Sequence, residues 1–326
     1  MKQLFVFVII LNFVTLSIQA QADKDVIKGA AATAATGLGG AKKLPDSLKW
    51  KKGGDVALNF SQTYLSNWAA GGEKSISLGS TANLYANYKK DKIIWENYAF
   101  LAYGTIKSGD RKSVKNNDQF NAGSRVGLQM AKNWYYTAAL LGKTQFAPGY
   151  KYASDTAYVS NFLAPASMYL SLGLDYKPSE NFSVSFAPAM GKATYVRSND
   201  PIVLSSSGIT SELIQDGKKS RYEFGGGIVF NLNGNFFSKR VSYLSQLELF
   251  SNYLETPQNV DVVWDFQFRI ALTKLVAATI RLNMIYDDDQ KTFAQERQTD
   301  GTMKNIAHGA KLQIKEYFEI GLFYAF

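Results

Sequence analysis

Cysteine is absent from this chain of 326 residues. Its absence excludes disulfide bonds, thiolate metal ligands and a lipid-bearing cysteine behind a leader peptide. No window beyond residue 22 approaches the roughly 20 unbroken apolar residues that a membrane-spanning helix needs, so a helical membrane protein is also excluded. Membrane strands are not excluded, because they alternate apolar and polar residues and have little mean hydropathy.

The first 22 residues have the pattern of a secretory signal peptide, with Lys2 followed by an apolar run from Leu4 to Val14. The run is too short to span a bilayer. Small residues allow cleavage after Ala20 or after Ala22, and both positions stay open. Loss of Lys2 takes the net charge from +9 to +8, which favours anionic partners such as lipopolysaccharide, acidic polymers or small anions.

Residues 23–54 carry an Ala/Gly-rich stretch, Gly29 to Gly40, and then a polar segment that ends before Asp55. Such a composition is typical of a linker. We predict a periplasmic arm or linker, and a segment folded into a barrel lumen as a plug is the alternative.

From Asp55 onward the hydrophobic period is two. Apolar residues occupy one parity of Ser75 to Tyr88 and of Val260 to Thr273, and polar residues occupy the other. This pattern is typical of membrane strands, and soluble strands are usually shorter. The sequence therefore predicts an all-β fold over residues 55–326: a transmembrane, antiparallel, up-and-down β-barrel of about twelve strands.

The predicted connections alternate in length, which supports a barrel with short periplasmic turns and long outer loops. Long insertions follow odd-numbered strands at residues 148–163, 196–219 and 288–310, and tight turns follow even-numbered ones. The odd connections around Asn67 and Pro257 are short and break the rule.

The final strand is apolar at alternate positions and ends on an aromatic residue. It resembles the signal that the outer-membrane barrel assembly machinery recognises, and the residues that carry the resemblance are Phe318, Ile320, Leu322, Tyr324 and Phe326. With the leader peptide, it predicts the cell outer membrane of a Gram-negative bacterium. The alternative is the last strand of a soluble β domain.

Leu58 to Gly72 resembles the first strand of a family of Gram-negative outer-membrane proteins known only as a domain of unknown function. The matching motif is Asn59, Ser61, Gln62, Asn67, Trp68, Gly71 and Gly72. The resemblance implies a barrel and no chemistry. In one interpretation Trp68 anchors the aromatic belt at the membrane interface and the glycines form a turn. In the other, these residues form an outer-rim contact for a ligand or partner protein.

Charged residues of both signs occupy the polar parity of the last five strands. They are Arg221, Glu223, Glu248, Asp265, Arg269, Arg281, Lys315 and Glu319. Because unpaired charges in a narrow lumen are costly, this belt predicts a salt-bridge network inside the wall. The alternative is a constriction that selects small solutes by charge.

Catalysis and metal binding have weak support. His308 is the only histidine, and no serine follows it in an H-x-S arrangement. Asp287, Asp288 and Asp289 would lie near it at the outer end of the barrel, where they are weak candidates for a divalent cation site. We predict no enzyme activity, no cofactor and no nucleic-acid partner.

Two functions remain open. One is a passive channel for small polar solutes. The other is a non-transporting structural or accessory subunit of an outer-membrane complex. In either case the chain would contact outer-membrane lipid and lipopolysaccharide, and the assembly machinery during insertion.

Overall fold

The computed structural model describes residues 49–64, 74–150, 158–179, 181–207, 209, 211–237, 240–286, 291–297 and 303–326. These residues form fourteen strands and two short helices. Their bounds are β1 Trp50–Thr63, β2 Ser75–Lys90, β3 Ile93–Ser108, β4 Val114–Ala131, β5 Trp134–Thr144, β6 Ala166–Tyr176, β7 Phe182–Tyr195, α1 Pro201–Ser206, α2 Ser211–Gln215, β8 Ser220–Phe236, β9 Val241–Asn252, β10 Asp261–Ala271, β11 Val276–Tyr286, β12 Lys291–Arg297, β13 Met303–Ala310 and β14 Gln313–Ala325.

Twelve of these strands close into one antiparallel barrel, which confirms the predicted fold class. Strands β1 to β11 pair with their neighbours in sequence, and β14 pairs with both β11 and β1. Closure leaves no strand of the barrel itself with an edge that is unpaired along its whole length. No helix among the described residues is long and apolar enough to cross a membrane.

The structure corrects two details of the predicted strands. β1 begins at Trp50 rather than at Asp55. Its first residues pair with β2, with Lys51 opposite Asn87 and Gly53 opposite Tyr85. The region predicted as a plain insertion, 288–310, contains β12 and β13, which form a separate two-stranded sheet. Both segments lack the long apolar/polar alternation that strands acquire when one face contacts lipid.

The connections alternate in length as predicted. At one mouth, short turns join β2 to β3, β4 to β5, β6 to β7, β8 to β9 and β10 to β11. At the other mouth, the connections after β5 and β7 span residues 145–165 and 196–219, and the latter contains α1 and α2. We call these the short-turn mouth and the long-loop mouth.

The wall bends where β6, β7 and β8 meet. The register shifts between Leu172 and Leu174 against β7, and between Ala187 and Met190 against β8. Pro188 lies in this bulge, where its missing N–H costs no ladder bond. Gly225 to Gly227 lie opposite the shift on β8.

The ladder that closes the barrel is the shortest one within the described residues. It pairs Asp55 with Ala325 at one end and Asn59 with Gly321 at the other. The Asn59 side chain lies over Gly321, because a Cβ added there would approach Asn59 Oδ1 to 2.1 Å. Asn59, the first residue of the motif in β1, therefore packs at the closing seam.

The outer face is apolar and bordered by aromatic residues. All five residues of the predicted assembly signal are exposed on it, between 47% for Ile320 and 65% for Phe318. Ring pairs at 4.8–5.6 Å cluster at the short-turn mouth: Trp50–Tyr88, Trp50–Trp95, Trp134–Tyr176 and Phe236–Tyr243. Exposed aromatics towards the long-loop mouth are Tyr103, Tyr195, Tyr222, Phe224 and Tyr253.

Candidate functional site

The lumen is the candidate site, because the polar parity of the strands faces it. Along β6, Ser167, Tyr169 and Asp175 are buried, whereas Met168, Leu170 and Leu172 are more than half exposed on the outside. A strand alternates its side chains between the two faces, so burial identifies the lumen side. The same test assigns each predicted charge to a face.

One side of the lumen is filled by side chains. Tyr98, Leu141, Tyr169 and Met190 form a buried apolar cluster, and Phe250 packs against it. These residues come from β3, β5, β6, β7 and β9, and β3 lies opposite β9 in the ring of twelve strands. The cluster therefore reaches between opposite walls of the barrel. We call it the apolar cluster.

A buried lysine lies near the end of β5 that points to the long-loop mouth. Lys143 on β5 is only 7% exposed. Its ammonium interacts electrostatically with the carboxylates of Asp265 on β10 and Glu248 on β9, which belong to nearly the opposite wall. A buried cation needs such partners, because an uncompensated charge in a poorly hydrated site is costly. Lys143 is not among the residues predicted from the sequence.

The predicted charge belt is distributed over several levels rather than forming one ring. Towards the long-loop mouth, Glu223 Oε2 lies 2.5 Å from Lys192 Nζ, and Glu223 Oε1 lies 3.5 Å from Arg221 Nη2. The Arg221 guanidinium also reaches Glu255 Oε2 at 2.8 Å. These charges are paired along β7, β8 and the following loop. This part of the belt has the geometry of a salt-bridge network.

The remaining belt residues lie deeper in the barrel. Asn283 donates a hydrogen bond to Asp265 Oδ1, and Arg281 lies one lumen-facing position further along β11. The Arg269 guanidinium stacks on the Phe323 ring with 4.1 Å between their centres. For Lys315 and Glu319 the structure describes the backbone, which pairs with Asn283 and Thr279.

A second charged cluster, apart from the eight residues of the predicted charge belt, lies on strands for which no belt was predicted. Arg125 Nη1 is 3.1 Å from Asp175 Oδ2 and donates to Ser185 Oγ at 3.1 Å. Lys177 Nζ is 2.6 Å from Glu96 Oε2 and 3.8 Å from Asp175 Oδ2. These side chains join β3, β4, β6 and β7 near the short-turn mouth. Their position on the polar parity was a usable signal in the sequence.

The opposite side of the lumen is largely polar, and its buried apolar pair, Val263 and Ile285, lies at the long-loop end of β10 and β11. Asp55, Asn83, Gln267 and Asn283 face inward from β1, β2, β10 and β11, and all four are half-buried rather than buried. Asn83 Nδ2 donates a hydrogen bond to Asp55 Oδ2 at 2.8 Å. Partial exposure of inward side chains leaves accessible space beside them. We call this the polar side of the lumen.

A cavity of about 520 Å³ opens at the short-turn mouth. Inward residues from β8, β9, β10, β11 and β14 form its wall, and the turns after β8 and β10 form its rim. The wall residues include Asn235, Ser242, Arg269, Ala277 and Phe323. We call this cavity the vestibule.

The connections after β5 and β7 form a packed cap at the long-loop mouth. Ala164, Val196 and Val203 are fully buried in its core, and Leu204 and Ile209 pack with them. Asp118 fastens the cap to β4, since its carboxylate accepts hydrogen bonds from Phe146 N at 2.7 Å and Ala147 N at 2.9 Å. Lys115 Nζ lies 3.0 Å from the same carboxylate. Only loops were predicted here from the sequence, and this buried core was not.

The structure describes part of the remaining predicted sites. Ser61 and Gln62 are exposed near the outer end of β1, whereas Asn67, Trp68, Gly71 and Gly72 lie outside the described residues. Residues 1–48, with the leader and most of the arm, also lie outside them, as do Asp287, Asp288 and Asp289. The backbone of His308 belongs to β13. Among the described residues, no group of three or more acidic or histidine side chains is placed to hold a metal ion.

Comparison with known proteins finds one matching family. The family model described as "Protein of unknown function (DUF3078)" matches residues 60–150, from the end of β1 to the loop after β5. The match begins one residue after Asn59 and includes the positions of the other motif residues. No curated protein matches.

Solved structures similar to this chain include three bacterial proteins of low sequence identity. The COG4313 outer membrane channel from Pseudomonas putida F1 is 14% identical with a TM-score of 0.40, covering 87% of this chain and 96% of its own. The translocator domain of the autotransporter NalP from Neisseria meningitidis is 8% identical with a TM-score of 0.39. The match covers 95% of this chain and 100% of that domain. The P. putida toluene transporter TodX is 9% identical with a TM-score of 0.32. The match covers 86% of this chain and 90% of the transporter chain.

Proposed function

We propose that this chain is an outer-membrane barrel that lets small polar solutes pass through the polar side of its lumen. The observation that carries the proposal is the contrast between the two sides of the lumen. The apolar cluster fills one side, while Asp55, Asn83, Gln267 and Asn283 stay half-buried on the other. A passage confined to one side would be narrow and lined by hydrogen-bonding groups, which suits small hydrated solutes.

Membrane insertion is supported by the outer face. Large apolar side chains such as Leu58, Leu170 and Leu322 are each more than half exposed there, which would be costly in water over so wide a band. Aromatic residues border the band at both mouths, as they do where membrane barrels meet the two interfaces. The leader peptide predicted from the sequence adds an export route to the outer membrane.

The same face supports the proposed contacts with other molecules. Phe318, Ile320 and Phe326 face outward from the last strand, so the assembly machinery would meet them before closure. Once the barrel is inserted, outer-membrane lipid and lipopolysaccharide would cover the apolar band.

Conductance of the purified barrel in a planar bilayer tests the channel. We expect small, discrete openings whose ion selectivity depends on the charged side chains that β10 and β11 direct into the lumen. Asp265→Asn removes a carboxylate near Lys143 and should shift permeability towards anions, whereas Arg281→Gln should shift it towards cations. Asp216→Asn is the matched control, since its exposed carboxylate pairs with Lys218 in the long loops. A folded barrel with no conductance would contradict the proposal.

A second function, as an accessory subunit in an outer-membrane complex, is favoured by the cap. Its buried core fixes a surface on which Phe162 is 45% and Ile202 56% exposed, and rigid apolar side chains of this kind are common in protein interfaces. A silent barrel that co-purifies with one fixed partner would support this function. Loss of that partner in Phe162→Ser or Ile202→Ser would locate the contact at the cap.

A further inference from the structure

The barrel wall is paired over only part of its height where the first and last strands meet. β1 pairs with β2 along its whole length, from Trp50 to Thr63. β14 pairs with β11 from Gln313 to Leu322. β1 and β14, however, pair with each other only from Asp55 to Asn59 of β1. If the register continued, residues 60–63 would lie opposite residues 317–320, but these described parts of the two strands form no ladder. We call this separation, on the long-loop side of Asn59, the lateral gap.

The lateral gap begins at a defined point, because the two strands are firmly joined below it. Gly54 N donates to Phe326 O at 3.0 Å, and Phe326 N donates to Gly54 O at 2.9 Å. At the other end of the seam, a Cβ on Gly321 would come within 2.5 Å of Leu58 O, so the two backbones approach each other closely. The strands therefore separate directly above a close backbone contact.

The lateral gap lies at the level of the apolar outer band. On one side of it, Phe60 is 55% exposed and pairs with Leu78 of β2, which is 58% exposed. On the other side, Phe318 is 65% exposed and pairs with Ile280 of β11. At about 3.3 Å per residue, residues 60–63 give the gap a height of about 13 Å, roughly half of an apolar band of about 25 Å. The gap therefore opens towards the hydrocarbon chains of the lipid.

The inner face of the lateral gap is polar. Ser61 and Ser77 lie opposite each other on the lumen-facing parity of β1 and β2. Asn116 Nδ2 donates a hydrogen bond to Ser77 Oγ at 2.9 Å. Backbone groups without a ladder partner are costly in hydrocarbon, so water or another polar group must reach these strand edges from the lumen. The polar side of the lumen, which begins with Asp55 and Asn83 on the same two strands, supplies that environment.

We propose that the lateral gap is an opening through which single-chain amphiphiles pass between the lumen and the membrane. Their polar head group would stay with the polar groups of β1 and β2, while the hydrocarbon chain lies between the apolar side chains outside. A gap between strands that are joined at one end is narrow, which favours one hydrocarbon chain over the two chains of a phospholipid. Ions and fully polar solutes would gain nothing from this route, because it leads them into hydrocarbon. The inference requires the membrane insertion proposed above, but not the passage of polar solutes.

Pairs of introduced thiols measure the gap, since the chain has no cysteine of its own. Leu58→Cys with Leu322→Cys joins two outward positions that pair in the closing ladder. Gln62→Cys with Phe318→Cys joins two outward positions that would pair only if the ladder continued. A disulfide needs Cα atoms within about 7 Å, so we expect oxidation to link the first pair at least about tenfold faster than the second. Equal rates would mean that the wall is closed, and would overturn the proposal.

Closing the gap tests the route itself. A short bifunctional maleimide links the thiols at positions 62 and 318, and the same reagent at positions 58 and 322 is the matched control, because those strands are already paired. The probe is laurate with a photoreactive diazirine on its chain, added to vesicles that contain the barrel. We expect it to label the lumen-facing Ser77 and Asn83. This lumen labelling should be lost in the barrel linked at 62 and 318 and unchanged in the control.

The outcomes separate the lateral route from the channel. Lumen labelling that persists in the linked barrel would show that laurate enters through a mouth, and labelling confined to outward residues would show that it does not enter. Either result overturns the proposal. A barrel that does not conduct, but loses lumen labelling when it is linked, supports the lateral route and contradicts the polar passage alone. Each variant is refolded in detergent, so that replacing Phe318 does not depend on the assembly machinery, and its folding is checked by heat-sensitive migration on gels.

Discussion

Asp175 is the most deeply buried charged residue in the described part of the lumen. Its side chain is 1% exposed, and it lies 3.1 Å from Arg125 Nη1 and 3.8 Å from Lys177 Nζ. Thr137 Oγ1 donates a hydrogen bond to its other oxygen at 3.4 Å. One carboxylate thus compensates two cations, and removing it would leave positive charge in a buried site.

We expect Asp175→Asn to lower the free energy of unfolding by about 3–5 kcal/mol, the usual cost of breaking a buried ion pair. Urea unfolding in lipid vesicles, followed by gel migration, measures the shift. Asp216→Asn is the matched control. Asp216 and Lys218 are 61% and 58% exposed, so this change should cost less than about 1 kcal/mol. Equal midpoints for the two variants would show that the buried pair does not stabilise the wall.

The sequence predicts the face of such residues but not their partners. Period-two alternation assigns Glu96, Arg125 and Asp175 to the lumen. It does not say which of them meet, because contacts across a barrel depend on strand tilt, stagger and closure. Lys177 and Glu96 are 81 positions apart in the chain. The electrostatic interaction of Lys143 with Asp265 likewise depends on β5 and β10 facing each other across the lumen.

At the scale of strands, the bend at β6, β7 and β8 depends on one glycine. A Cβ on Gly173 would lie 2.1 Å from Phe186 O and 2.8 Å from Ala187 Cα, both of them backbone atoms that cannot move independently. The bulged strand needs this close approach to keep its register with β6.

Gly173→Ala should therefore reduce the yield of folded barrel and lower its unfolding midpoint by an amount typical of core overpacking, about 1–3 kcal/mol. Gly191→Ala is the control on the neighbouring strand, because an added Cβ there meets no atom within 4 Å. Folding yield in detergent and the urea midpoint are compared for the two. A Gly173→Ala barrel that folds as well as Gly191→Ala would mean that the bulge tolerates a side chain.

Strands were predictable where one face meets lipid. β2 and β10 show long alternation, and their predicted and observed bounds nearly coincide. The start of β1 at Trp50 and the hairpin of β12 and β13 show no such alternation. A strand that extends past the apolar band, or lies outside the barrel, needs no apolar parity, so hydrophobic periodicity does not reveal it.

At the scale of the whole molecule, the direction of the barrel decides which compartment each mouth faces. Membrane barrels of this class have short periplasmic turns and longer extracellular loops. By that rule the vestibule faces the periplasm, and the cap with α1 and α2 faces the cell exterior. The rule also places Lys132, in the turn after β4, on the periplasmic side.

The absence of cysteine makes this orientation directly testable, since any label must come from an introduced thiol. We expect a membrane-impermeant maleimide to modify Ile202→Cys in intact cells, because Ile202 is 56% exposed on α1. Lys132→Cys should react only after the outer membrane is breached, and the unmodified chain should not react at all. The reverse labelling pattern would contradict this orientation, because the vestibule and not the cap would then face the cell exterior.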